Sequence, residues 1–434
     1  MHGLNLKQLP WWQWAIFVKV LYVLVLALIN PDAIWTTDAR SYYILADNLL
    51  NEQVFSRNLA APFLADTLRT PGYPIFIILT GGLISPWVTI ICQQLVQVYA
   101  YSKFEQIGHH LIPDKKIVRL CLLILLFDIP SHLFNTYLLS DGLFQACLLL
   151  GVHQLICAPI RHKGFYFLIA CFIKPAALYF LPFLLIYLLW QKHQRAFAWS
   201  VLVLMIGISG WCTRNFIHHQ QWVFSTSGAF NIGVWHAPSV LSDVNNQSLK
   251  KSQTNWWQSL KTNFNGDPEK DQVRFMQFMQ EQSLNLMIAY PLISSQLMLK
   301  EIGKLYFKPV RGSIDQQWRL TKPITKRQQN FSWHKKLANT SYVSLGLVVA
   351  QLLLQTIVFI LALVGFIAQL KSGNKHIMLL LLIILYFSLM VLPPTTYSRL
   401  RLPLQPFLII LSGIGFAKLK TIFHDRSKHI TSTH

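Results

Sequence analysis

Acidic side chains are scarce in this chain, 17 Asp and Glu in 434 residues, so those beside apolar runs are the first candidates for acid–base chemistry. Asp32, Asp38, Asp47, Glu52 and Asp66 crowd the segment after the first apolar run. Asp38 opens the stretch Asp38-Ala39-Arg40-Ser41-Tyr42-Tyr43-Ile44-Leu45-Ala46. It reads either as the N-cap of a helix lying on a membrane surface or as a placed carboxylate. The two are compatible, because a cap fixes the position of its side chain. Asp141 stands where a short turn enters a later apolar run and has the same two readings. Ionisable groups at membrane depth are functional candidates by default, but Asp128 and Asp66 read as structural or solvated.

Five cations form a second constellation: Arg69, Lys174, Arg214, Arg399 and Arg401. Lys174 precedes Pro175 between two apolar runs, Arg214 ends another, and Arg399 and Arg401 lie between Pro394 and Pro403. Arginine binds phosphate through charge-assisted, often bidentate hydrogen bonds. The plainer alternative is snorkelling to lipid headgroups, which needs no built site. Lys19, inside the first apolar run, is expected to snorkel to the cytoplasmic side. The adjacent pairs His109-His110 and His218-His219 lack the i,i+4 spacing that sets two ligands on one helix face. His132, His153 and His236 are isolated, and no metal site is expected.

The elements that must carry these residues are apolar. The chain is 53% hydrophobic and 13% charged, against about a quarter charged in soluble domains. Apolar runs occupy roughly 12–30, 86–104, 117–134, 138–157, 164–173, 176–190, 197–212, 342–370, 377–392 and 402–418. Several approach the ~20 residues that cross a bilayer, and backbone in lipid must satisfy itself within a helix. The expectation is an all-α integral membrane protein, a bundle of about ten transmembrane helices. Pro74 to Ile84 is too short to span and reads as interfacial. Trp14 to Ile29 reads as a retained first span, since no small-residue cleavage site follows it.

Charge orients the bundle. One set of short connections holds Lys115, Lys116 and Arg119, then Arg161 and Lys163, Lys192 and Arg195, Lys371 and Lys375, and Lys418, Lys420, Arg426 and Lys428. The other set includes Ile129 to Leu139, with neither Lys nor Arg. The positive-inside rule makes the first set cytoplasmic, with both termini cytoplasmic. Three regions follow: 1–212, a membrane bundle with a first outer loop at 31–73; 213–341, a mixed or helical outer domain; and 342–434, the last membrane helices and a cytoplasmic tail. Within 213–341 the run Asp267-Pro268-Glu269 signals a helix start, and the helix resumes after Pro291 to about Phe307. Asn246, Asn330 and Asn339 begin glycosylation sequons, a weak pattern.

The net charge of +21 reads as orientation and affinity for anionic headgroups. No nucleic-acid-binding motif accompanies it, so no nucleic acid is expected. All six cysteines fall inside apolar runs without CxxC spacing, as small buried hydrophobes.

Several motifs, in order, resemble those of the GT-C superfamily of membrane glycosyltransferases, close to the protein O-mannosyltransferase and lipid A aminoarabinose transferase group. Asp38-Ala39, with Tyr42 and Ala46-Asp47-Asn48-Leu49-Leu50, looks like the first-loop acidic motif. Arg69-Thr70-Pro71-Gly72-Tyr73-Pro74 looks like the motif that follows it, and Leu139-Ser140-Asp141-Gly142 like the second acidic position. Lys174-Pro175, Trp211-Cys212-Thr213-Arg214, Ser225-Thr226-Ser227-Gly228, Tyr290-Pro291, Phe307-Lys308-Pro309 and Arg399-Leu400-Arg401-Leu402-Pro403 continue the likeness.

The resemblance implies transfer of a sugar from a polyprenyl-phosphate donor to a glycolipid, glycan or protein acceptor on the extracytoplasmic face, in a bacterial inner membrane. It implies Asp38 as general base, Asp141 as its helper, Lys174, Arg214, Arg399, Arg401 and Arg69 around the donor phosphate, and Tyr42 and Tyr73 at the substrate. Cations at the leaving phosphate can replace a metal, so no obligatory cofactor or metal is expected. Two alternatives stay open: a transporter or flippase of lipid-linked sugars, which would favour inverted repeats not seen here, and an inactive scaffold relative.

Overall fold

The structure, a computed structural model, describes residues 10–158, 164–320, 341–370, 373–391 and 398–432, with side chains as far as His424. Arg161, Lys163, Lys371, Pro394, the sequons at Asn330 and Asn339, and the side chains of Arg426 and Lys428 lie outside the described residues.

Every regular element among the described residues is helical. The first half runs α1 (Trp11–Ile29), α2 (Thr37–Asn51), α3 (Gly72–Leu79), α4 (Pro86–Leu111), α5 (Lys115–Leu126), α6 (Ile129–Phe134), α7 (Ser140–Ile156) and α8 (Phe165–Ile173). A 3-10 turn at Pro175–Phe180 leads into α9 (Leu181–Trp190) and α10 (Gln194–His219). The polar segment holds α11 (Ser227–Asn231), a π turn (Ile232–His236), α12 (Ala237–Val244), α13 (Leu249–Asn263), α14 (Gln272–Ala289), α15 (Pro291–Phe307) and α16 (Arg311–Trp318). The chain closes with α17 (Tyr342–Gln369), α18 (Lys375–Leu389), a 3-10 turn at Ser398–Arg401 and α19 (Gln405–Ser432).

Among the described residues four helices are long and apolar enough to cross a membrane: Trp11–Ile29, Gln194–His219, Tyr342–Gln369 and the Gln405–His424 part of α19. In the first three only 22%, 17% and 28% of the most apolar window is buried inside the protein. Leu28, Ile206 and Leu353 point outward with the rest. So much apolar surface needs a cover that water does not supply.

The other apolar runs are shorter or interrupted for local reasons. The expected run 117–134 breaks at Asp128, which caps α6 by accepting a hydrogen bond from Ser131 N (2.9 Å), with Pro130 in the first turn. The run 176–190 begins as a 3-10 turn after Lys174-Pro175. α4 has the length but carries Gln93, Gln94 and Gln97, all buried. Conversely α10 runs past the expected boundary at 213 to His219.

Other expectations need correction. Asp267 accepts hydrogen bonds from Glu269 N and Lys270 N, but this closes one turn only, and Asp271 (φ −96°, ψ 42°) separates it from α14. Cys157 is exposed at the end of α7 rather than buried; Cys121, Cys147 and Cys171 are buried, and all six thiols are free. Lys19 does not snorkel. Its Nζ is buried and donates to Gln97 Oε1 (2.8 Å) and Gln94 Oε1 (3.3 Å), with His132 Nδ1 at 3.3 Å. The reach to solvent was assumed from the sequence, whereas the face of Lys19 is turned onto α4.

α17 and α19 cross so closely that a Cβ on Gly365 would stand 2.1 Å from Leu411 O, and one on Gly415 2.0 Å from Leu361 O. Small residues at such crossings let helix backbones approach. The main core lies among α4, α7, α8, α18 and α19, with Phe104, Phe144, Phe167, Phe180 and Phe407 fully buried. A smaller core of Leu260, Phe275 and Met279 holds the polar segment.

Candidate functional site

Thr36 has extended backbone and caps α2, its Oγ1 accepting from Ala39 N (3.1 Å). Asp38 is therefore not the cap. It sits in the first helical turn, where the helix dipole favours negative charge, and its carboxylate is turned outward from α2. Oδ1 accepts from Arg69 Nη2 at 2.7 Å and Oδ2 from Arg399 Nη2 at 2.7 Å. One carboxylate thus joins the first loop to a turn near the end of the chain.

The network continues through Tyr42, one helical turn beyond Asp38. The Arg69 guanidinium lies 5.0 Å from the Tyr42 ring centre, and Arg69 Nη1 donates to the Tyr42 hydroxyl (3.4 Å). That hydroxyl meets Ser140 Oγ at 3.0 Å. The next residue, Asp141, accepts from Lys174 Nζ at 2.6 Å, while the Lys174 ammonium stands 5.6 Å from the Phe144 ring centre. Tyr73 meets Tyr42 edge to face at 4.9 Å and donates its hydroxyl proton to Gln93 Oε1. Five sequence candidates, Asp38, Arg69, Arg399, Asp141 and Lys174, with Tyr42 and Tyr73, thus fall in one network of neighbouring contacts.

Each position follows from local structure. The backbone before Arg69 is held by hydrogen bonds from His219 to Ala65 O (2.9 Å), from Thr226 N to Thr67 O (2.8 Å) and from Ser225 Oγ to Leu68 O (2.9 Å). Asp66 Oδ1 accepts from Arg69 N at 2.8 Å, and Arg57 pairs with the same carboxylate. Gly72 meets the backbone of Phe172 and Ile173 so closely that an added Cβ would stand 2.6 Å from Phe172 C. That contact brings the Arg69–Pro74 run beside Lys174, which ends α8 because Pro175 cannot continue it.

The Asp38, Arg69 and Arg399 side chains are 28%, 26% and 26% exposed, open enough for a ligand to reach them. Burial pushes the Asp38 carboxyl up, but Arg399 and Arg69 outweigh it and hold the group below its ordinary value, so it is ionised at neutral pH. Burial likewise disfavours charge on Arg399, and Asp141 and Asp38 reverse that effect and raise it. The influence of Asp141 on Arg399 ties the two ion pairs into one electrostatic unit. Ser41 Oγ, Arg69 Nε and Thr70 Oγ1 are buried and have no hydrogen-bond partner among the described residues. Buried polar atoms are nearly always paired, so these three are hydrogen-bonding capacity beside the ion pairs.

Two candidates stand elsewhere. Arg214 donates to Asp66 O (2.8 Å), Phe55 O (3.1 Å) and Asn215 Oδ1 (2.7 Å), and stacks over Trp211 and Phe55. It holds the first loop and does not face Asp38. Arg401 is 1% exposed and donates to Tyr306 O and Leu305 O. Arg399 and Arg401 are two apart in a 3-10 turn of three residues per turn, so they point in different directions. Asp128 and Asp66 are structural, as expected, binding Gln405 and Arg57 respectively.

Sequence reasoning missed Ser41, Thr70 and Ser140. All three lie inside stretches already singled out, and their place there was the available signal. No protein-family model matches the chain, and no curated protein matches it. The likeness to membrane glycosyltransferases therefore rests on the motifs themselves.

Proposed function

We propose that the protein is a multi-pass membrane glycosyltransferase that moves a sugar from a polyprenyl-phosphate donor to an acceptor hydroxyl at the extracytoplasmic face. One observation supports this reading above the rest: Asp38 stands between Arg69 and Arg399, beside the Asp141–Lys174 pair. A base and a phosphate site are thus adjacent. The donor phosphate competes with Asp38 for the two guanidiniums. As it binds, it takes up Arg69 and Arg399 and releases the carboxylate from its ion pairs. Asp38 then accepts the proton of the acceptor hydroxyl as that oxygen bonds to the anomeric carbon. The bond from the anomeric carbon to the phosphate oxygen breaks, and its electron pair stays on the lipid phosphate, stabilised by Arg69, Arg399 and Lys174. Attack from the opposite face inverts the anomeric centre.

In this reading the shorter apolar helices join the four long ones in a bundle of about ten crossings, in a bacterial inner membrane with both termini cytoplasmic. The polar helical segment faces outward and meets the acceptor. Alkaline phosphatase fused at Gln247 is expected to be active and fused at His434 inactive; the reverse pattern overturns the orientation.

The chemical test is mass spectrometry of lipid co-purified with the protein, followed by transfer assays with that lipid bearing a labelled sugar. A polyprenyl phosphate and label transfer are expected. Purified, folded protein that neither retains nor turns over a polyprenyl-phosphate sugar overturns the proposal.

A further inference from the structure

Arg401 is among the largest fully buried side chains in the protein and makes no ion pair among the described residues. Its partners are the last carbonyls of α15. Helix C-termini leave four C=O groups without intrahelical partners and carry partial negative charge, and here a guanidinium meets two of them, at Leu305 and Tyr306. Ser398 Oγ extends the cap to Lys308 O at 3.0 Å. The 3-10 turn Ser398–Arg401 is therefore the C-terminal cap of α15. On its other side Gln145 Nε2 donates to Leu402 O at 2.8 Å, and Gln145 lies one helical turn after Asp141. Arg399 sits in the middle of this clamp and reaches Asp38.

We propose that Arg401 is a positioning residue that locks the turn carrying Arg399 onto α15, so that the seating of the polar helical segment sets the Arg399–Asp38 pair. α15 is the last long helix of that segment, and its end moves with Arg399. Anything that shifts the segment, an acceptor above all, changes how firmly Arg399 is held at the site. The inference rests on the sugar-transfer reading for its meaning, but its geometry does not.

The primary test is a double-mutant cycle on the Tm of the full-length protein in detergent, which needs no substrate. Asp38→Asn and Arg399→Gln are combined in the otherwise native protein and in Arg401→Gln. Residues in direct contact are coupled, and distant ones add. Coupling between Asp38 and Arg399 is expected in the native background and lost in Arg401→Gln, while a parallel cycle of Asp38→Asn with Arg69→Gln keeps its coupling in both. A general loosening of the protein would weaken both cycles alike, and that result overturns the proposal, as does Asp38–Arg399 coupling unchanged without Arg401. If Arg401→Gln does not fold, the cycle is run in Ser398→Ala, where weakened Asp38–Arg399 coupling is expected and unchanged coupling overturns the clamp. With turnover measured, Arg401→Gln is expected to lower kcat/KM for the lipid donor about tenfold, the effect of one weakened ionic contact, and Arg401→Lys to recover part of it. Lost coupling with no change in donor dependence supports the clamp and counts against the sugar-transfer role of Arg399 instead.

Discussion

Two polar regions lie side by side in the apolar helical bundle, and they are built on opposite principles. The cluster around Asp38 is made of charges, with Asp38, Arg69 and Arg399 about a quarter exposed and Asp141 buried, and with buried hydrogen-bonding atoms at Ser41, Arg69 and Thr70 left without partners among the described residues. The core behind Tyr73 is made mostly of carboxamides: Gln93, Gln94, Gln97, Asn135 and Gln145, fully buried around Lys19. Gln97 alone accepts from Lys19 and Asn135 (3.2 Å) and donates to Gln145 (3.1 Å). Gln93 and Gln94 donate to Asn135 O at 3.0 and 2.9 Å. A closed, largely paired network specifies one packing and resists exchange. Ion pairs about a quarter open to solvent can trade partners, as binding and proton transfer require. Tyr73 touches both regions, its ring on Tyr42 and its hydroxyl on Gln93.

The comparison breaks most sharply at Asp38. Asp38→Asn is expected to lower transfer by roughly 10²–10⁴-fold, the usual loss for a general base, far beyond what the loss of its two ion pairs takes from Tm. Asp141→Asn is expected to cost less, since its amide oxygen still accepts from Lys174. Turnover is compared at matched amounts of folded protein. Near-normal transfer by Asp38→Asn removes the base assignment, and a larger loss in Asp141→Asn exchanges the two roles.

The next effect belongs to the closed core. Gln97→Leu takes one acceptor from the buried Lys19 ammonium and strands Asn135 Nδ2 and Gln145 Oε1. Unpaired buried polar groups cost about 1–3 kcal/mol each, more when charged. A large drop in Tm is expected, with turnover per folded molecule nearly unchanged. Full stability with lost turnover would mean that the core takes part in the chemistry, and the contrast between the regions would fail.

The contrast was only partly visible in the amino-acid order. Asp38, Arg69, Asp141 and Lys174 were legible because scarce charges stand beside apolar runs and within short motifs. That Asp38 pairs rather than caps depends on the extended backbone of Thr36, and two threonines precede it with equal claim. Arg399 and Arg401 are indistinguishable by type and spacing; only the 3-10 turn sends them to different partners. Lys19 was misread because its acceptors are carboxamides on another helix, beyond any local pattern. The break at Asp128-Ile129-Pro130 was readable as an N-cap followed by proline, but the apolar run on both sides masked it.

The smallest expected effect tests whether sealed polar groups report on folding alone. His236 ends the π turn of the polar segment, fully buried, and neither ring nitrogen has a hydrogen-bond partner among the described residues. Burial holds its imidazole below the ordinary histidine value. In the unfolded chain the ring takes up a proton near pH 6.5, while in the folded protein it stays neutral to lower pH. Unfolded protein therefore binds more protons just below pH 6.5, and stability falls as pH falls through that window. One site contributes at most about 1.4 kcal/mol per pH unit. Tm measured from pH 7.5 to pH 5 should decline more steeply in the native protein than in His236→Phe, which fills the same apolar space without titrating. The two curves should run together above about pH 7.5, apart from a constant offset. Equal slopes through the acid range would show that His236 finds a partner on protonation, and a sealed, unpaired histidine would no longer describe it.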